Sequence, residues 1–385
     1  MEDTKNQSQD SIENENDDDK VTINLGIIGC GKHILQSHIF VKESKITHLQ
    51  ISGVYDPNTD NIDALANKLY EHNDQDYLPP LHYLKVYQSE DELLADPTVN
   101  AVIIGSPDKF HTESLCKAIK AGKHVFVEKP ISINESEFLL ASQAIEDAIK
   151  QNLVIMSCHA HRFEPGVQPE LINQLIDQYK LGKCLEFRFD FSYHRSITND
   201  SQKHQRSLML DHVCHEIDLV NFIFGMSPAG GIIMEDTPDH YHVVGKRRQD
   251  NIIFNFSGTR LLEKNSFIET VAMRCQQGKM MIDLYNRRIQ INCDHDNSII
   301  NLPIAHTDYN TRFRAIMTNF VKTIQGTEKP YVTPKEILFN NVFPFLLNRA
   351  IDEGSTNSTQ DQTTKIKKKT ISQAFKEKEP FIIPN

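Results

Sequence analysis

Short apolar runs alternate with amphipathic stretches from Val21 to Ser157. The runs are Thr22–Ile28, Leu49–Tyr55, Ala101–Ile104, His124–Val127 and Leu153–Ser157; between them lie His33–Lys42, Asn61–Tyr70, Asp108–Ala121 and Asn134–Lys150, all with helical spacing. A strand followed by a helix of such length must cross over before the next strand can pair, so the strands lie parallel and helices cover the sheet. This alternation narrows the possible folds more than any other feature of the chain.

After about residue 160 the pattern changes. A helix over Pro165–Tyr179 stops at Leu181-Gly182, a long strand follows over Cys184–Tyr193, and a strong helix over Ser207–Phe224 stops at Gly225. Strands then follow one another without crossover helices: Gly231–Glu235, His240–Gly245, Asn251–Ser257, Phe267–Cys275, Met280–Leu284 and Arg288–Asn292. Neighbouring strands of this kind pair antiparallel. Helices over Tyr309–Ile324 and Pro334–Asp352 are expected to close that second domain. The predicted architecture is α/β: an N-terminal Rossmann-like parallel-sheet domain over residues 21–158, then a C-terminal α/β domain with a large, mostly antiparallel open sheet over 159–354. An acidic tail over 1–20, expected to be disordered, and a polar, partly ordered tail over 355–385 flank them.

The formal charge is −11, and the first 20 residues hold eight acids against two lysines. Such an acidic body has no electrostatic footprint for nucleic acid; the basic run Lys365–Lys369 reads as a solvated tail. The longest apolar runs fall far below the ~20 residues of a membrane helix. The N-terminus lacks the apolar segment of a secretory signal, so a cytoplasmic location is expected. Seven scattered cysteines without a CxxC pair predict reduced thiols, not a disulfide framework or a structural zinc site.

The first strand runs into LGIIGCGKHILQSH. Gly29 and Gly31 stand where a dinucleotide fingerprint has its first two glycines: one permits a tight turn, the other lets backbone N–H groups approach a pyrophosphate. Ile34 holds the third position, which predicts looser packing between helix and strand. Asp56 ends the second strand, the place from which an acid accepts hydrogen bonds from the adenine ribose and repels a 2′-phosphate. The expected cofactor is therefore NAD, with NADP possible. The same residues also suit an ordinary strand-to-helix turn, and Asp56-Pro57-Asn58 has good turn chemistry.

Two further segments carry chemistry. Lys129, in Glu128-Lys129-Pro130 at the end of the fifth strand, would lie beside a positively charged nicotinamide ring, which favours its neutral form and lets it share a proton with a substrate hydroxyl. In LMLDHVCHEIDLVNFIFG, Asp211, His215 and Asp218 are spaced four and three apart and share one helical face. A His–carboxylate pair is a common general base, the acid fixing the imidazole tautomer. A surface lysine before a turn proline and a solvated charged stripe are the plainer alternatives. No metal site is expected, because His212 and His215 are three apart and HExxH is absent.

With the GCG turn, Ser106-Pro107 followed by His111, the EKP segment and DxxxHxxD in this order, residues 21–354 resemble the glucose–fructose oxidoreductase, inositol dehydrogenase and MocA family. The resemblance implies Lys129, Asp211 and His215 as catalytic groups, with His215 the acid/base. It implies a cofactor site made by Gly29, Gly31, Lys32, Asp56, Ser106, His111 and Glu128, the last on the nicotinamide ribose, and a cis bond before Pro130. In His161-Arg162-Phe163, Arg162 and His161 would face substrate, while Asp218 would be structural. The segment HQRSLML departs from the usual glycine-rich lead-in to the helix. The implied activity is NAD(P)-dependent hydride transfer at a secondary alcohol or ketone of a sugar, polyol or cyclitol, inositol-like compounds included, by a homodimer or homotetramer. Glycoside hydrolysis by transient oxidation and a non-catalytic nucleotide-binding regulator are the alternatives on this fold.

Overall fold

The computed structural model describes residues 22–31, 34, 49–71, 84–194, 207–306 and 309–349. Both expected tails, Lys32 and nearly all of the helix expected over His33–Lys42 lie outside the described residues.

Six parallel strands form the first sheet: β1 (Ile23–Ile28), β2 (Leu49–Tyr55), β3 (Lys85–Val86), β4 (Ala101–Ile104), β5 (His124–Val127) and β6 (Ile155–Ser157), in the order β3-β2-β1-β4-β5-β6. The order reverses direction on either side of β1, which places a switch point, and hence a ligand crevice, at the carboxyl ends of β1 and β4. β3 and the short helix α2 (Glu90–Ala95), capped by Ser89, extend the expected pattern. Helices α1 (Thr59–Glu71), α3 (His111–Lys120) and α4 (Glu135–Lys150) complete the alternation. β4 and β5 are apolar and almost entirely buried, as a strand covered on both faces must be.

The connector after β6 departs from the expected helix over Pro165–Tyr179. Pro165–Val167 makes a single tight turn, and α5 (Pro169–Gln178) starts afresh. Pro169 has no N–H to give and pushes Gln168 into an extended conformation (φ −64°, ψ 129°), so one continuous helix cannot form.

The second sheet has nine strands: β7 (Cys184–Tyr193), β8 (Ala229–Asp236), β9 (His240–Arg247), β10 (Ile253–Thr259), β11 (Phe267–Cys275), β12 (Gly278–Asp283), β13 (Arg288–Cys293), β14 (Ile299–Pro303) and β15 (Asn348–Arg349). Their order is β14-β13-β12-β11-β7-β10-β9-β8-β15, antiparallel except where β10 meets β7 and β15 meets β8. Alternate residues of β7 (Phe187, Phe189) and β10 (Phe254, Phe256) are buried on one face. Against that face packs α6 (Leu208–Phe224), itself buried on nearly every side.

The last helices are arranged differently from the expectation. α7 (Tyr309–Ile324) covers the first sheet rather than the second: Phe313, Ile316, Met317, Phe320 and Val321 join the core of β1 and β5, and the Phe320 ring meets Phe126 edge-on at 5.7 Å. The apolar stripe was legible, but not which sheet lacked a cover. α8 (Pro334–Leu346), with its Thr333/Glu336 capping box, ends before Leu347, and the next two residues turn into the edge strand β15.

Candidate active site

The nucleotide end follows from backbone geometry. Gly29 adopts φ +84°, and a Cβ there would lie 2.4 Å from the Ser106 backbone nitrogen, so only glycine lets β1 turn against the end of β4. At Gly31 a Cβ would meet nothing within 4 Å, which leaves the peptide open to a close-approaching group. That combination fits a dinucleotide pyrophosphate. Ile34 does not loosen the packing. It is fully buried, and a Cβ on Gly105 would come 2.3 Å from its Cδ1. The small residue has moved to the strand partner and the helix–strand contact stays tight.

Asp56 stands at the end of β2, one carboxylate oxygen 2.7 Å from the Cys30 N–H and the other 2.8 Å from the Asn58 N–H, with Asn61 Nδ2 3.2 Å from both. Its charge is thus fixed beside the glycine turn. His111 departs from the expected contact with cofactor. Its ring is buried, Nε2 2.7 Å from the Ser106 carbonyl and Nδ1 2.8 Å from the Pro130 carbonyl. It ties the turn after β4 to the turn after β5 and acts on the site through them. Ser106 Oγ is buried without a hydrogen-bond partner. Glu128 is buried, one oxygen receiving the Lys129 N–H at 3.2 Å.

The Lys129-Pro130 bond is cis. From this turn the Lys129 amine donates to the Asp211 backbone carbonyl at 3.1 Å, joining β5 to the first turn of α6. Burial pushes the amine's pKa down, but Asp211, Cys214 and Glu128 outweigh it, and the net direction is up. The chain's own residues therefore hold Lys129 as a cation, whereas the expectation of a neutral amine rested on a charge that belongs to the cofactor.

His215 lies one turn further along α6. Burial first, then Lys129, His161, His159 and His212, drive its pKa well below the ordinary value, so the ring is neutral at pH 7. Its Nδ1 is buried without a hydrogen-bond partner, so Asp211 does not fix its tautomer through a hydrogen bond as the spacing suggested.

The connector supplies what the sequence only partly indicated. Arg162 does not face substrate. It is 2 % exposed, with Nε and Nη2 on the two Asp218 oxygens at 2.8 and 2.5 Å, Nη2 also 2.9 Å from Glu336, and Nη1 on the Tyr331 carbonyl. A buried guanidinium takes the nearest planar acid, and Asp218, also bound by Asn340, is that acid. His161 reaches the site but does not turn its polar atoms toward the cleft. Its ring packs edge-on against His215 with centroids 4.8 Å apart, and its Nε2 lies 3.0 Å from Glu269 Oε1. His159 adds a third ring, 5.7 Å from His215. Glu269 and His159 were not singled out from the sequence. Glu269 had a signal, because in FIETVAM the period of two puts it on the buried face with Phe267 and Val271.

All seven cysteines are free. Among the described residues, the side chains close enough to share an ion are Cys293, His295 and Asp296 at the β13–β14 turn, not His212 and His215.

A parallel sheet with a glycine turn at its switch point, facing a lysine and a neutral histidine at the join with a second sheet, defines a dinucleotide-dependent oxidoreductase. Residues 23–158 match the family model described as "Oxidoreductase family, NAD-binding Rossmann fold", named for the Gfo/Idh/MocA proteins, and this domain carries that family's nucleotide-binding fold. It is 25% identical over 284 residues to the inositol 2-dehydrogenase/D-chiro-inositol 3-dehydrogenase of Shouchella clausii, covering 74% of this chain and 72% of that one. With the scyllo-inositol 2-dehydrogenase (NAD(+)) of Bacillus subtilis it shares 30% identity over 147 residues, covering 36% and 39% of the two chains. A structure of levoglucosan dehydrogenase in complex with NADH and levoglucosan superposes with a TM-score of 0.69 at 16% identity, over 84% of this chain and 96% of that one, a likeness of fold. No helix among the described residues is long and apolar enough to cross a membrane.

Proposed function

We propose that the enzyme oxidises or reduces a secondary alcohol or ketone carbon on a sugar, polyol or cyclitol. The observation that carries this reading is the Lys129–Asp211 hydrogen bond, which sets a cationic amine and the neutral His215 on two sides of one join between the sheets. In the oxidative direction His215 accepts the hydroxyl proton at a ring nitrogen, and the Lys129 ammonium stabilises the charge developing on that oxygen. The bound nicotinamide supplies the hydride acceptor. Gly29, Gly31 and Asp56 hold the dinucleotide, and the Asp56 charge favours NAD over NADP. The relatives named as inositol dehydrogenases support the cyclitol or sugar class.

Cofactor reduction measured across inositols, aldoses and nucleotide sugars tests the reading. Turnover of at least one inositol or sugar with NAD is expected, and it should vanish in His215→Ala. Turnover of none of them, or full activity in that variant, overturns the proposal. Exposed Ile232, Met234, Ile253 and Ile268 on the outer face of the second sheet support a homo-oligomer, which light scattering checks; a single monomeric species counts against it.

A further inference from the structure

We infer that Cys184 and Cys275 form an oxidation site, a cross-strand thiol pair that hydrogen peroxide closes into a disulfide stapling β7 to β11.

The pairing comes from a bulge. Along β7 and β11, Glu186 faces Arg274 but Cys184 faces Cys275, so Leu185 is left over between the two pairs. The extra residue turns outward, 48 % exposed, and the alternation of faces shifts by one. Cys184 thereby joins the face on which Phe187, Met273 and Cys275 are buried. Without the bulge Leu185 would stand opposite Cys275, and Cys184 would lie on the other face of the sheet.

The Gln276 N–H donates to the Lys183 carbonyl at 3.0 Å, so Cys184 and Cys275 are an antiparallel pair of the non-hydrogen-bonded kind. In such a pair the Cα atoms stand about 4.5 Å apart, and side chains come closer than elsewhere in the ladder. That spacing lies within the range of about 4.4–6.8 Å that a disulfide spans. Both thiols are free, Cys275 fully buried and Cys184 partly exposed with its Sγ 3.3 Å from the Glu186 carbonyl. Each also alters the other's ionisation: Cys275, ahead of burial, raises the pKa of Cys184, and Cys184 lowers that of Cys275. Cys293 cannot replace Cys184. Gly278 stands between it and Cys275 in the ladder, which leaves two strand spacings of about 9.5 Å, beyond the reach of a disulfide.

The chemistry is a two-electron oxidation. Hydrogen peroxide oxidises the sulfur of Cys184, the more exposed of the pair, giving a sulfenic acid and one water. The Cys275 sulfur then attacks it. An S–S bond forms, the S–O bond breaks, and the hydroxyl leaves with the Cys275 proton as a second water. The bond ties the β14-β13-β12-β11 half of the second sheet to the half that begins at β7. It also closes a long loop, which restricts the unfolded chain and so favours the folded one.

Peptide mapping of the full chain after hydrogen peroxide treatment, without reductant, tests the pairing. Trypsin cleaves after Lys183, Arg188, Arg274 and Lys279 and so releases CLEFR and CQQGK. These should appear joined with the loss of two hydrogens, and separate on adding dithiothreitol. The thermal midpoint of the oxidised chain should rise by about 5 °C or more. Cys184→Ser should abolish both the joined peptide and the rise. Unlinked peptides while the partly exposed Cys116 becomes oxidised, or either cysteine joined to another partner, would overturn the inference. A joined pair that leaves the midpoint unchanged would overturn its role as a staple.

Discussion

The Lys129 amine donates to the Asp211 carbonyl across 3.1 Å, so a residue at the rim of the parallel sheet is anchored to the helix that carries His215. The two residues are 82 positions apart, and a backbone acceptor at this point makes the amine's position depend on the register of α6 rather than on any side-chain rotamer at position 211. The Asp211 charge also raises the lysine pKa at short range.

Lys129→Met keeps most of the side-chain volume and removes the charge. The expected result is a loss of about 10²–10⁴ in kcat, the usual span for a positioned proton-handling or charge-stabilising group. Binding of NADH followed by fluorescence should change little, because Gly29, Gly31 and Asp56 are untouched. Unchanged kcat would remove Lys129 from the chemistry.

Arg162→Met leaves Asp218 buried without its cation, hydrogen-bonded to Asn340 and 3.9 Å from His159. Removing one member of a buried ion pair costs about 3–5 kcal/mol, which urea unfolding should show as a large fall in midpoint. A midpoint within experimental error of wild type would mean that Asp218 finds a new donor.

Gly105→Ala places a methyl group where Ile34 Cδ1 now lies, 2.3 Å away. Overpacking of this kind costs roughly 1–3 kcal/mol. Adding Ile34→Ala opens the space, so the double variant should be more stable than the sum of the single changes predicts. Strict additivity would show that the two side chains do not compete for one volume.

Stability should fall with acid earlier than carboxylate titration alone would cause. Burial, the largest cause for both rings, depresses the folded-state pKa of His159 and of His215. Below an unfolded value of about 6.5, the unfolded chain therefore takes protons that the native state refuses. The neutral-ring stability is present above that pH and is lost below it, by about 1.4 kcal/mol per pH unit for each ring until its native pKa is reached. Urea midpoints at pH 7.5 and 5.5 should differ clearly, and His159→Asn should reduce the difference; equal midpoints in wild type would contradict it.

Much of the site was legible because periodicity is a local property of the backbone. The spacing of Asp211, His215 and Asp218 on one helix, the turn at Gly29, and Lys129 at a strand end all follow from residues within one or two turns of each other. Arg162 was misread because nothing nearby in the chain reveals its partner: Asp218 is 56 residues away and Glu336 174. His111 was misread for the same reason, since one of the two carbonyls its ring nitrogens face belongs to Pro130, 19 residues away.

The amino-acid sequence by itself settled the alternation of the longer strands and helices in the first domain, the run of neighbouring strands in the second, and which residue types stand at strand ends and on helix faces, while β3, α2, β14 and β15 came only with the structure. Tertiary structure alone decided which sheet α7 covers, that Gly105 makes the room Ile34 needs, and that the His161 ring packs on His215. Hydrogen bonding along the backbone and the burial of apolar stripes act within a segment, so their pattern is written in it. The choice among several buried donors and acceptors is a competition between groups far apart in the chain, and only the packed arrangement fixes its outcome.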